Sequence, residues 1–137
     1  NRAAGENIIP SITKSSDVVA NVLPFIKNKI ASSSMTVPIP DGSTVDLTVD
    51  IKNECSIEDI NKIISNASDT DLKNIIGITY DPIVSSDVVR SSLSGLVDGL
   101  ATMGINNQKI KLIIWFDNGW GYAARIIDTI KKLGQVI

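Results

Sequence analysis

Residues 45–51 read Val-Asp-Leu-Thr-Val-Asp-Ile, with Val45, Leu47, Val49 and Ile51 alternating against Asp46, Thr48 and Asp50. A period of two admits one structure: a strand with one apolar face and one polar face. A chain holding such a strand must build a sheet that is covered on one side and wetted, or applied to a polar interface, on the other. Asp41-Gly42 is the turn signal in front of it. The extended run 34–40 upstream is expected to pair with it antiparallel. A second strand is expected at 109–116, where Ile110, Leu112 and Ile114 share a face, with Asn106-Asn107 as the hairpin turn leading in. Weaker strand signals cover 72–80 and 93–103, and 83–89 reads as extended beyond the Asp81-Pro82 break.

Helical spacing appears three times between and around these strands. Ser15-Ser16-Asp17 offers an N-cap ahead of Val18, Val19, Val22 and Leu23, and Pro24 ends the run. Ser56, with Asp59 at the third helical position, opens a second helix whose stripe is Ile57, Ile60, Ile63 and Ile64. Tyr122, Ile126, Ile130 and Leu133 follow at helical intervals, with Lys131 and Lys132 in the last turn and Gly134 after them. Strands in hairpin-like succession with helices interspersed make the class α+β, with a largely antiparallel or mixed sheet covered by helices. At 137 residues and 43% hydrophobic content the chain is the size of a single domain.

Composition removes several kinds of chemistry. There is no histidine, and Cys55 is the only cysteine, so no Ser-His-Asp triad, Cys-His pair, zinc site or disulfide framework is available from this chain alone. Cys55 stands among Glu54, Glu58 and Asp59, the wrong company for a nucleophilic thiolate. The net charge of -2 carries no basic stripe, so nucleic acid is not expected as a partner. No apolar run approaches the ~18 residues of a membrane helix and no signal-peptide pattern opens the chain, so a cytoplasmic protein without a membrane partner is expected.

Aromatic and polar residues concentrate at 113–130, IIWFDNGWGYAARIIDTI. The segment Asp117-Asn118-Gly119-Trp120-Gly121 lies between a core strand and a helix. It reads either as a glycine-containing turn in which Asp117 or Asn118 bonds its own backbone, or as a site where Asn118, donor and acceptor in one planar amide, recognises another amide. Arg125, on the helix that follows, reads as a surface charge or a local ion pair.

The stretch FDNGWGYAARIIDT at 116–129 resembles the C-terminal region of glyceraldehyde-3-phosphate dehydrogenases. RAAGENIIP at 2–10, VLP at 22–24, VPIPDGSTVDLTV at 37–49, DLKNIIGITYDPIVSSD at 71–87 and SSLSGLVDG at 91–99 are similar to the same family in the same order. The resemblance implies that residues 1–137 are a single C-terminal catalytic-domain portion of a two-domain, homotetrameric NAD-dependent enzyme. The Rossmann domain and the nucleophilic cysteine with its histidine would then lie upstream, leaving no catalytic residue in this chain and no metal. It also implies the reaction: a thiolate attacks glyceraldehyde 3-phosphate, the hemithioacetal yields hydride to NAD, and inorganic phosphate releases 1,3-bisphosphoglycerate in glycolysis.

Position by position, the resemblance assigns Asn118 to the nicotinamide carboxamide, Tyr122 to the neighbourhood of that ring, and Thr13 to the inorganic-phosphate site. Three positions depart from the family's pattern. Thr36 stands where an arginine commonly precedes Val-Pro, Lys14 where glycine follows the phosphate-binding threonine, and Gly119 where glutamate follows the asparagine. A hydroxyl does not replace a bidentate guanidinium, while Lys14 brings back a positive charge at the substrate and phosphate site. Thr13-Lys14, with Arg2-Ala3-Ala4-Gly5 and Val97-Asp98-Gly99, is also similar to the erythrose-4-phosphate dehydrogenase branch. The alternatives are therefore that substrate, or a non-catalytic assembly module derived from the family.

Overall fold

The computed structural model describes residues 2–135. Two compact units divide the chain, Asn1–Pro40 and Asp41–Ile137.

In the first unit, β1 (Ile9–Ser11) and β2 (Ser34–Thr36) form a two-stranded antiparallel ladder with Ile9 opposite Thr36 and Ser11 opposite Ser34. The helix α1 (Ser15–Val22) lies between them in sequence, followed by a 3-10 turn at Pro24–Ile26. Ser15 is the first helical residue of α1 and Lys14 holds the cap position without a side-chain bond. No described residue of this unit is buried. Val18 and Val22, on the expected apolar stripe, are exposed. Three-residue strands and one eight-residue helix give these side chains too little surface to cover one another.

The second unit carries a five-stranded mixed sheet in the order β3 (Ser43–Asp50), β7 (Lys109–Phe116), β5 (Gly95–Asp98), β4 (Ile76–Thr79). The short β6 (Met103–Ile105) pairs with the start of β7. All pairings are antiparallel except β4 with β5. The fold class is thus α+β with a mixed sheet, as the sequence implies. The run at 34–40 does not pair with β3: β2 joins β1, and the partner of β3 is β7, through eight residue pairs from Ser43↔Phe116 to Asp50↔Lys109. Two eight-residue alternating strands satisfy one another's full length, which a three-residue strand cannot do.

That register sorts the two faces. Val45, Leu47 and Val49 lie opposite Ile114, Leu112 and Ile110, and Val97 of β5 also lies opposite Ile114. Ile110, Val97 and Val88 are the buried apolar core. On the other face Lys111 reaches Asp46 at 2.7 Å and Lys109 pairs with Asp50. The polar face expected from Asp46, Thr48 and Asp50 is present, laced by exposed ion pairs.

The helix α2 (Ile57–Asp69) is capped as its sequence implies, the Ser56 hydroxyl accepting from the Asp59 N–H at 3.1 Å. Its most buried residue is Asn61, 6% exposed, whereas Ile63 faces solvent. The Asn61 amide donates to the Gly99 carbonyl at 3.0 Å and accepts from the Thr102 hydroxyl at 2.9 Å, so its burial leaves no unmet polar group. The segment 83–89 contains a 3-10 turn at Ser85–Val88 in place of an extended run, and only Ile76–Thr79 of 72–80 is strand.

The helix α3 (Asn118–Gly134) starts four residues before Tyr122 and takes in Gly134. Two glycines in its first turn obscure it in the sequence. Its packed face is Gly121, Ala124, Arg125 and Asp128, while Tyr122, Ile126, Ile130 and Leu133 are exposed. A Cβ on Gly121 would lie 2.7 Å from the Leu93 carbonyl oxygen, so glycine is what permits this approach. No helix among the described residues is long and apolar enough to cross a membrane.

Candidate functional site at the start of α3

The end of β7 delivers the chain directly into α3 through Asp117, which is 5% exposed. One carboxylate oxygen accepts the Trp120 N–H at 2.7 Å, capping the helix. The other accepts the Arg90 N–H at 2.7 Å. Bonds from the backbone N–H groups of Trp120 and Arg90 hold the Asp117 carboxyl below the usual aspartate value; desolvation opposes them and Gly119 adds to them. Arg90 has φ +66°, a left-handed backbone unusual for a side chain of its size, and the bond to Asp117 fixes it there.

Asn118 is therefore the first residue of α3, exposed beside this anchored turn. Tyr122 is one turn further on, 69% exposed, and residues four apart share a helix face. The structure brings these two sequence-derived candidates together on one solvent-facing stripe. The turn reading of 117–121 has a counterpart, since Asp117 bonds the local backbone as a cap, and the Asn118 side chain is exposed next to it.

Arg125 makes more than the expected local pair. Besides Asp128, which its guanidinium meets at 2.6 Å, it donates to the Ser94 hydroxyl at 3.1 Å and the Asn74 carbonyl at 3.2 Å. It ties α3 to the segments flanking β4 and β5.

Thr13, Lys14 and Thr36 all belong to the first unit. The Thr13 hydroxyl accepts the Ser15 N–H at 3.2 Å and shares a 2.7 Å hydrogen bond with the Ser15 hydroxyl, at the entry to α1. Lys14 is exposed next to it. Thr36 is exposed on β2 opposite Ile9, at the far end of the ladder from the Ser11↔Ser34 pair that adjoins Thr13. The ladder thus groups Thr13 with Lys14 and sets Thr36 apart. A hollow of about 290 Å³ in this unit is lined by Arg2, Asn7, Ile8, Ile9 and Pro10 and includes none of the three.

Among the described residues no cluster of acidic or cysteine side chains is arranged to hold a metal. The sequence reading does not foresee the Asp117 bond to Arg90 or the Arg125 bonds to Ser94 and Asn74. An aspartate directly before a helix start is a capping signal, and because α3 starts at Asn118 and not at Tyr122, Asp117 holds that position.

The family described as "Glyceraldehyde 3-phosphate dehydrogenase, C-terminal domain" matches residues 1–118, which takes in Asn118 and stops short of Tyr122. The chain is 47% identical over 134 residues to the glyceraldehyde-3-phosphate dehydrogenase of Borreliella burgdorferi, covering 96% of this chain and 40% of the relative. It is 37% identical over 132 residues to glyceraldehyde-3-phosphate dehydrogenase 2 of Bacillus subtilis, covering 96% and 39%. With the cytosolic enzyme of Nicotiana tabacum it shares 41% over 135 residues, covering 98% and 41%. The chain spans about two fifths of the length of these relatives. Six collinear motifs, a mixed α+β sheet and a family match over residues 1–118 lead to one conclusion: the chain belongs to the glyceraldehyde-3-phosphate dehydrogenase family, as its C-terminal domain.

Proposed function

We propose that this chain is the C-terminal part of an NAD-dependent, phosphorylating glyceraldehyde-3-phosphate dehydrogenase that converts glyceraldehyde 3-phosphate and inorganic phosphate to 1,3-bisphosphoglycerate. The observation that carries the reading is the placement of Asn118 and Tyr122 one turn apart on the exposed face of α3, within a chain of this family. The Asn118 amide suits a carboxamide, because each offers one donor group and one acceptor. The Tyr122 ring offers an apolar wall beside it. Bound there, NAD would supply the hydride acceptor; this chain's share is to orient the nicotinamide ring.

Thr13 and Lys14, adjacent at the N-terminal end of α1, are assigned to an anionic oxygen of phosphate, which the helix end favours. The nucleophile and its base are assigned to the portion of the subunit outside this chain, and the whole is read as a homotetramer. The relative from Nicotiana tabacum is named cytosolic, which supports a cytoplasmic setting.

Thr36 favours a second reading. A short neutral side chain where the family commonly has arginine weakens the hold on a substrate phosphate, which suits a retired, assembly-only protein, while Thr13-Lys14 suits erythrose 4-phosphate as the substrate. The deciding experiment is NAD reduction by the full-length protein with glyceraldehyde 3-phosphate plus phosphate, and in parallel with erythrose 4-phosphate, for wild type and Asn118→Ala. Turnover of the first aldehyde that collapses in the variant supports the glycolytic reading. Turnover of the second alone transfers the assignment to that substrate, and a folded protein inert to both retires the enzyme reading.

A further inference from the structure

We propose that Asp117 is a positioning residue for Asn118, acting through its long-range bond to Arg90 and not merely as a helix cap. The proposal rests on the reading that Asn118 contacts the nicotinamide carboxamide. Asn118 is the first residue of α3, and glycines at 119 and 121 give that first turn a low intrinsic helix propensity. Asn118 is exposed, and among the described residues its side chain makes no hydrogen bond that would hold the amide in place.

Asp117 supplies what the turn lacks. Its bond to the Trp120 N–H closes the turn on itself, and its bond to the Arg90 N–H ties the turn to a segment 27 residues away in sequence, just ahead of β5. The carboxylate is almost wholly shielded, so water competes with neither bond. Arg90, whose N–H makes that bond, has a left-handed backbone with φ +66°. Asn118 and, one turn on, Tyr122 are thereby set at a fixed place on the sheet scaffold.

A cap alone and a positioning tether are separable by substitution. Asp117→Ser keeps an oxygen for the Trp120 N–H but is too short to serve Arg90 as well. Asp117→Asn keeps the size and one acceptor while turning an amide N–H₂ or a lone acceptor toward two donors. In the full-length dehydrogenase, affinities for NAD and for ADP-ribose, which lacks the nicotinamide, are measured for wild type, Asp117→Ser, Asp117→Asn, Asn118→Ala and the Asp117→Ser/Asn118→Ala pair.

The expected result is that Asp117→Ser weakens NAD about tenfold, the worth of one well-placed hydrogen bond, leaves ADP-ribose unchanged, and has no further effect once Asn118 is alanine. Equal weakening of NAD and ADP-ribose, or full additivity in the pair, overturns the proposal and leaves Asp117 a structural cap. Asn118→Ala with unchanged NAD affinity and turnover sinks the underlying reading instead, whatever Asp117 does. If the serine variant does not fold, the asparagine variant carries the same comparison.

Discussion

The carboxylate of Asp117 accepts the backbone N–H of Arg90 at 2.7 Å, joining the start of the last helix to a loop 27 residues earlier. That bond is stronger to the ionised carboxylate, whose two oxygens accept from Arg90 and Trp120 at once, and it gives the protein an acid-sensitive joint. The Asp117 pKa is lowered in the folded state, chiefly by the N–H groups of Trp120 and Arg90, so the unfolded chain binds the proton more readily. The stabilisation is complete above the unfolded value of about 4 and is lost as pH falls through the lower folded value. Thermal unfolding of wild type and Asp117→Ala across pH 2–7 checks this: Tm is expected to be lower in the variant by several degrees at neutral pH, with the two curves converging at the acid end.

Two glycines in the same helical turn should respond oppositely to alanine. At Gly121 the new Cβ would meet the Leu93 carbonyl oxygen at 2.7 Å, a contact the backbone must yield to. Overpacking of this kind costs about 1–3 kcal/mol, more than the ~1 kcal/mol that helix propensity returns. At Gly119 the nearest atom is Asp117 Oδ1 at 3.5 Å, so Gly119→Ala keeps most of the propensity gain. Urea unfolding should show a lower midpoint for Gly121→Ala and an unchanged or higher one for Gly119→Ala.

Asn61 is a buried polar link from α2 to the Gly99–Thr102 segment. Asn61→Ala removes a donor to the Gly99 carbonyl and an acceptor for the Thr102 hydroxyl, both in a buried setting. The expected loss is about 1–3 kcal/mol, read as a fall in the denaturation midpoint at constant m-value. Asn61→Asp should be worse above pH 5 than below it, because an ionised oxygen would then face the Gly99 carbonyl.

The exposed ion pairs on the polar face of the sheet should matter little. Lys111 and Asp46 retain 39% and 55% of their side-chain exposure. A double-mutant cycle with Asp46→Asn and Lys111→Gln should give a coupling below about 1 kcal/mol, shrinking further in high salt.

Arg125 should behave differently from these surface pairs. Its guanidinium serves Asp128, Ser94 and Asn74 together, and its side chain is about a quarter exposed. Arg125→Lys keeps the charge but cannot fork to three partners, so it should lower Tm nearly as much as Arg125→Ala. A full rescue by lysine would show that charge alone holds the helix.

The sequence by itself determined the elements whose signals are local. The alternation at 45–51 and 109–116 sets which side chains share a face whatever the partner strand is. Ser56 with Asp59 starts α2 through bonds made within four residues. The absence of histidine and the lone Cys55 exclude a self-contained Ser-His-Asp triad, Cys-His pair or disulfide framework before any fold is known. Six collinear motifs also made the family legible, and with it Asn118 and Tyr122 as candidates.

Tertiary structure decided what depends on partners distant in the chain. Pairing of β3 with β7, and not with residues 34–40, follows from matching two long strands far apart in the chain, a choice local alternation does not specify. The identity of α3's packed face turned on Gly121 and Arg125, because a close backbone approach and a three-partner guanidinium outweighed the apolar stripe of Tyr122, Ile126, Ile130 and Leu133. Asn61 is buried because the fold brings the Gly99 carbonyl and the Thr102 hydroxyl to its amide. Asp117 became an anchor only when folding carried the Arg90 N–H to its second oxygen. A side chain's type and its near neighbours are written in the sequence, but a hydrogen bond across 27 residues is made by the fold that closes the distance.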